Sequence, residues 1–485
     1  MKATALLFIT ALLVLVACQS APTATPAPTN APLPTNTLLP TATPTLTNTP
    51  TATATPTATP TATATPKPTI EGMKDVTYPD SKLLAGVIRP YAKAIGLDSE
   101  KVQVSYKQFK DYQSNPFVVG ISQDGTPLVI ASQSKDGKWE WSEATPGKMA
   151  DKKGVKVGIS YGYVHVPGVI ETSKQFNLNF VSYDLFWRNT EPEPGKITFS
   201  YRYAESEKQV SRSVEANQDI IGGPLIMWET YPEWFINLVR NTAVPIAERQ
   251  EKARQAVKAY IVSVMSHFKG RINKWVVVNE FHPLSGGLHP DALQEILGDY
   301  REYAFQVARE VDPDATLIYS NGSNHNLKTG WGLKDKEFIG QLKSKGYKVA
   351  WGVQLHLFAS NVPPKEELVE LFTSAGVPVF VLEHDLDIRD IRPDSQKFKT
   401  PEEMTKERFR VQAQIEADVL RAVIESGVCN HYIFWSLGDK YSWKEENPKY
   451  SWYSPDADAT LFTDDIQPKP NYYAVMRVLL ERLAK

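Results

Sequence analysis

Cysteine is almost absent: in 485 residues there are two, Cys18 and Cys429. A disulfide framework is therefore excluded. An excess of one charge is missing too, since 53 Lys and Arg stand against 55 Asp and Glu, for a net charge of -2. No long-range field favours nucleic acid or an anionic membrane surface, and nucleic acid is not expected as a partner. Histidines such as His282, His289 and His325 are scattered without metal-ligand spacing, so no catalytic metal and no other cofactor is expected. What remains is a chain long enough for a large core. Its 11 Trp and 21 Tyr suit that core, or stacking on flat neutral ligands.

The first eighteen residues read as an address. Lys2 gives a positive start, an apolar run extends from Ala5 to Val16, and "LVAC" (Leu15 to Cys18) closes it, too short to span a bilayer as a stable helix. "LVAC" resembles the lipobox of bacterial lipoproteins. That implies acylation of Cys18 and an extracytoplasmic protein whose membrane contact is the lipid anchor alone. With Cys18 so modified no intramolecular disulfide is available, and Cys429 is expected as a small buried apolar residue. From Gln19 the composition collapses to Thr, Pro and Ala, as in "TATPTLTNTPTATATPTATPTATATPKP". Such a chain has nothing to bury and its prolines favour an extended form, so residues 19–72 read as a disordered tether.

Residues 73–149 suggest a small α+β module. "DSKLLAGVIRPYAKAIGL" has helical spacing, while "FVVGISQDGTPLVIAS" and "GKWEWSEA" read as strands, with Asp124-Gly125 as a hairpin signal. Trp139 and Trp141, two apart, share a strand face; they read as half-exposed structural residues, with sugar stacking as the alternative. From Val155 a different rhythm begins. Apolar runs recur at "VKVGISY", "FVSYDLFW", "IIGGPLIMW", "NKWVVVN", "TLIYSN", "AWGVQLHL", "PVFVLEHDLDI" and "HYIFWSLGD". Helix-like stretches such as "ERQEKARQAVKAYIVSVMSHF" and "DALQEILGDYREYAFQVARE" separate most of them. Eight strand–helix units make residues 150–485 an α/β chain with the (β/α)8 TIM barrel fold. An open doubly wound sheet is the runner-up, weakened because no Gly-rich phosphate loop follows the first strand.

In such a barrel chemistry sits at the C-terminal ends of the strands. "NKWVVVNEFHP" runs apolar from Trp275 to Val278 and then closes with Asn279 and Glu280, an amide and a carboxylate that need a reason to end a buried strand. Glu383, in "PVFVLEHDLDI", holds the equivalent place on the seventh strand. Two carboxylates facing one cleft suit glycoside hydrolysis, in which one protonates the leaving oxygen and the other attacks or directs water.

The sequence around these residues resembles glycoside hydrolase family 10, the endo-β-1,4-xylanase barrels. "HFKGRINKWVVVNE" resembles the segment leading to that family's acid/base Glu, with Val276 where an Asp is usual. "VLEHDLDI" resembles its nucleophile strand, and "GVQLHL" the strand whose Gln354 and His356 flank the nucleophile. "FWSLGDKYSW" matches the aromatic segment with Trp435, Asp439 and Trp443, and "TLFTDDIQPKPNYYAV" the typical ending. "IYSNGSN" keeps Asn321 and Asn324 of the loop after the fifth strand. The resemblance implies a retaining hydrolase of xylan or a related β-1,4-glycan, with Glu383 as nucleophile and Glu280 as acid/base. His356 and Asp385 would support Glu383, Asn279 would donate to the sugar 2-hydroxyl, and Gln354, Trp228, Trp435 and Trp443 would contact substrate, extended by Tyr231 and Trp234. A monomer acting on a polysaccharide or oligosaccharide is expected.

The departures fall on the glycone pocket. Where the family carries a Glu-Asn pair, then a Lys and a Trp, this chain has Ser182, Tyr183, Phe186 and Trp187; Pro224 replaces a His, and Glu229 follows Trp228. Tyr183 then becomes a substrate contact of a different kind. A site that loses donors to sugar hydroxyls forfeits about 1 to 3 kcal/mol for each, so the glycan stays open between xylan and other, mixed-linkage or decorated, β-glycans. A non-catalytic polysaccharide-binding lipoprotein built on the same barrel is the alternative reading, although a binder has no need of two convergent glutamates.

Overall fold

The computed structural model describes residues 74–76, 88–94 and 98–481, apart from 111–115, 124, 134–135, 161–165, 203, 282–290, 323–329, 447 and 449–452. All of these fall in one compact unit, Pro66–Lys485. The leader with Cys18, the tether, Asp124, His282, His289, Asn324 and His325 lie outside the described residues.

β1 (Lys74–Val76), β2 (Val104–Lys110), β3 (Pro116–Ser122), β4 (Pro127–Gln133) and β5 (Trp139–Glu143) form an antiparallel sheet in that order. β2 carries the alternation of a half-buried strand, Val104 and Tyr106 against Ser105 and Lys107, a signal that sequence reasoning missed. On one side Ile88, from the turn that opens the helix Arg89–Ala94, packs with Leu128, Val129, Tyr106 and Trp141. On the other, Phe109, Phe117, Val119 and Ile130 join the same apolar cluster as the helices around the barrel. Trp141 meets Tyr106 edge to face at 5.6 Å, a structural contact.

The second half closes into an eight-stranded parallel barrel. Its strands are β6 (Lys156–Ser160), β7 (Leu178–Val181), β8 (Asp219–Gly222), β9 (Lys274–Asn279), β10 (Thr316–Asn321), β11 (Val349–Phe358), β12 (Val379–Asp387) and β13 (Cys429–Trp435). β13 pairs with β6 to close the ring. The lumen is filled by Leu178, Phe180, Ile221, Val276, Ile318, Ala350, Phe380, Leu382 and Ile433, so it is a core and not a pore. Gly352 belongs in this layer because a Cβ there would stand 2.5 Å from Leu382 Cδ1 and 2.8 Å from Ser320 Cβ. At the N-terminal mouth Asp219 accepts from Lys274 Nζ at 2.8 Å and meets His431 Nε2 at 3.2 Å, which ties three strands together.

Two expectations shift. The run "FVSYDLFW" is not one strand: β7 stops at Val181, and the chain continues through a turn of 3-10 helix (Tyr183–Leu185) and a short helix (Trp187–Thr190). Its apolar residues belong to the helix layer, where Trp187 stacks on Tyr260 with centroids 4.7 Å apart. "DALQEILGDYREYAFQVARE" is two helices, Ala292–Leu297 and Arg301–Val311. Gly298 breaks them at φ 69°, where a side chain is disfavoured.

Candidate active site

At the end of β9 the apolar run gives way to a backbone that no strand would adopt. Glu280 has φ 54°, the left-handed region, which costs a non-glycine residue about 1 to 2 kcal/mol. The turn is held because the Glu280 N–H donates to Ser320 O of β10 at 3.0 Å. Asn279 is buried beside it, its Nδ2 3.6 Å from Met227 Sδ.

On β12 an irregularity does similar work. Leu382 faces the lumen and strict alternation would turn Glu383 outward, but the pairing with β11 shifts between Val353 and Gln354. A bulge of this kind re-aims the side chains that follow. Glu383 then lies level with Gln354, and Asp385 with His356. The outward-facing residue is His384, whose Nε2 sits 3.2 Å from Glu416 on the helix Pro401–Glu425.

Gln354 Nε2 joins the parts, lying 3.0 Å from Glu280 Oε1, 3.0 Å from Glu383 Oε1 and 3.3 Å from Asn279 Oδ1. Two oxygens that each lie 3.0 Å from one nitrogen are no more than about 6 Å apart. Glu280 and Glu383 therefore face one another across a gap too narrow for a positioned water between carboxyl groups. His356 Nε2 lies 3.3 Å from Glu383 Oε2, and Nδ1 is 2.7 Å from Asp385 Oδ2, which also accepts from Trp443 Nε1 at 2.8 Å.

The electrostatics separate the two carboxylates. Burial, then the nearby Glu383 charge, push the Glu280 carboxyl up to about 7, with Glu229 adding to the effect and Gln354 opposing it. Glu280 thus holds a proton near neutrality. Burial works against charge on His356, but Asp385 and Glu383 outweigh it and push the ring up to about 10. Asp385 is also buried, yet His356 and Lys444 hold it well below the usual carboxylate range. A charged imidazolium donates from both nitrogens, so His356 bridges Glu383 and Asp385 as a cation between anions.

The remaining candidate residues divide. Trp443 flanks His356, with ring centroids 5.1 Å apart; Trp435 is half-buried against Phe180 at 6.0 Å; Tyr183 is exposed beside Phe186 at 5.5 Å; Trp228 is half-buried in a turn of 3-10 helix after β8. Asn321 is buried, its Nδ2 donates to Asp335 at 3.1 Å and its Oδ1 accepts from Gly322 N. Tyr231 is likewise no platform, since its buried hydroxyl donates to Asp291 at 3.0 Å. Trp234 donates to Glu191 O at 2.9 Å. Asp439 is a buried anchor that accepts from Lys469 Nζ at 2.8 Å and from Thr460 Oγ1 at 2.8 Å. Among the described residues, no group of three or more His, Cys, Asp or Glu could hold a metal ion.

Sequence reasoning missed Lys444. Its Nζ is 3.2 Å from Asp385 Oδ1 and 3.5 Å from Asp387 Oδ2, in a buried position. The signal was present in "EHDLD": acids at 383, 385 and 387 share one strand face and demand cations close by.

The family model for "Glycosyl hydrolase family 10" matches residues 148–478. Endo-1,4-beta-xylanase C of Paenibacillus barcinonensis is 28% identical over 328 residues, covering 63% of this chain and 28% of that protein. Endo-1,4-beta-xylanase A of Thermotoga maritima is 28% identical over 291 residues, covering 59% of this chain and 26% of that one. The chain thus spans well under a third of the length of these relatives. In solved structures the barrel is similar to native xylanase 10B from Thermotoga maritima, with TM-score 0.57 at 25% identity over 69% of this chain and 98% of that one.

Proposed function

Because this chain belongs to glycosyl hydrolase family 10, we propose that it hydrolyses xylan or a related β-1,4-glycan by double displacement. Glu383 attacks the anomeric carbon while Glu280 gives its proton to the departing glycosidic oxygen. The resulting glycosyl ester removes the Glu383 charge, so Glu280, having given up its proton, stays ionised. Glu280 then takes a proton from water, which attacks the same carbon and releases Glu383. The observation that carries this reading is Gln354 bonded to both carboxyl groups at 3.0 Å, which sets the gap at a spacing suited to a covalent intermediate and net retention. Asn279, whose Oδ1 lies 3.3 Å from the same Gln354 nitrogen, is proposed to donate to the sugar 2-hydroxyl.

The glycone side is reshaped. Tyr183 and Phe186 offer rings where charged and amide groups would otherwise grip sugar hydroxyls, which supports a β-glycan with few free hydroxyls at that position over unsubstituted xylan. From the leader alone, the protein is proposed to be extracytoplasmic and anchored through Cys18. Incorporation of labelled palmitate, lost in Cys18→Ser, tests that.

The enzymatic test compares wild type with Glu383→Ala and Glu280→Ala on aryl β-glycosides, xylo-oligosaccharides and substituted β-glycans. Glu383→Ala should abolish turnover. Glu280→Ala should retain ester formation only from aryl glycosides whose leaving group needs no proton, and lose about 100- to 10,000-fold elsewhere. Wild-type turnover surviving Glu383→Ala would refute the mechanism.

A further inference from the structure

Past the proposed nucleophile, a row of charges continues outward that the reaction as described does not use. Glu383, Asp385 and Asp387 lie on one face of β12, two residues apart. Each gap between them is filled by a cation from another element. His356, from β11, stands between Glu383 at 3.3 Å and Asp385 at 2.7 Å. Lys444, following β13, stands between Asp385 at 3.2 Å and Asp387 at 3.5 Å. Arg389 closes the row, its Nη2 2.7 Å from Asp387 Oδ2. Lys444 is 2% exposed, so its ammonium is stripped of water. Its other neighbours are the rings of Phe358, at 4.7 Å, and Trp443, at 5.4 Å. Three anions alternate with three cations, and the row is neutral only with Lys444 in it.

We propose that Lys444 is a positioning residue: it neutralises the Asp385 oxygen that His356 does not use, and so fixes how firmly the His356 ring keeps the proton it presents to Glu383. Without the lysine, Asp385 keeps, among the described residues, only His356 as a cation within salt-bridge distance. The ring is pulled toward Asp385, and Glu383 sits in a site with one negative charge too many. The groups facing the ring are Glu383 and Asp385 from β12 and Glu280 from β9; those facing Lys444 are Asp385 and Asp387, with Arg389 beyond. The role in catalysis rests on Glu383 being the nucleophile, but the charge coupling does not.

The test is a titration of the His356 imidazole in the full chain, labelled with 15N-histidine and assigned by loss of its signal in His356→Gln. In Lys444→Met the ring should lose its proton about half to one pH unit higher than in wild type. Lys444→Arg should titrate with wild type, and Lys444→Met/Asp387→Asn, which restores neutrality, should return most of the way. A lysine that merely filled space would leave the titration unmoved in every variant, and that result overturns the proposal. Should Lys444→Met not fold, Asp387→Asn alone decides: its surplus cation must lower the pH at which the ring deprotonates, and no displacement again overturns the proposal. No substrate is needed, so a failure here is distinct from turnover that survives Glu383→Ala.

Discussion

His356 presents Nδ1 to Asp385 at 2.7 Å, the tightest polar contact that its ring makes in the cleft. This contact decides the charge on the opposite nitrogen, which faces Glu383. In Asp385→Asn the ring should relax toward an ordinary histidine. Above about pH 7 it would then be neutral, and Glu383 would lose a charged donor worth about 1.5 to 3 kcal/mol. We expect kcat/KM to fall about 10- to 100-fold at pH 8 and distinctly less at pH 5.5, where the ring is protonated in either protein. Profiles of kcat/KM against pH for the two proteins check this.

As the proposed acid, Glu280 must be protonated, so activity should decline as pH rises through about 7, the value to which burial and Glu383 push it. The same shift affects folding with a definite sign. The folded protein binds this proton more tightly than the unfolded chain, whose carboxyl titrates near 4.5, so stability is lost between those two values as pH rises. Glu280→Gln should therefore melt above wild type at pH 8, with the gap closing toward pH 4.5. Thermal unfolding across that range is the measurement.

Gln354 opposes the upward shift of Glu280 and donates to Glu383 as well. Gln354→Met keeps the volume and removes the donor. The basic limb of the pH profile should move upward, while kcat/KM drops about tenfold or more for the lost bond to a charged group. A drop with an unmoved basic limb would mean that the amide only shapes the cleft.

Gly352→Ala inserts a methyl into a lumen where Leu382 Cδ1 stands 2.5 Å from the new carbon. Overpacking of this kind costs about 1 to 3 kcal/mol. Urea unfolding should show that loss with an unchanged slope.

The barrel was legible because strands buried on both faces read as unbroken apolar runs, as at Trp275–Val278, and because Glu280 and Glu383 each close such a run. The limits of that signal are physical. "FVSYDLFW" continues apolar past Val181 only because Trp187 is needed under Tyr260, and periodicity cannot tell those two uses apart. Asn321 lies at the correct end of its strand, yet its amide is consumed by Asp335, a residue 14 positions on that no local pattern links to it. Lys444 is hidden by the same distance: its partners lie 57 or more positions back in the chain, and a lone lysine after a tryptophan carries no mark of burial.

The sheet preceding the barrel bears on how small a working fragment can be. β4 reaches the last helix, Pro470–Leu480, which also lies against the helices Pro146–Lys153 and Pro401–Glu425. A protein trimmed to the family-matching span would bare the greasy underside that Phe117 and Ile130 now cover, and would leave its final helix with one wall missing. Such a minimal fragment should be sticky and short-lived in solution even with every group around the cleft in place.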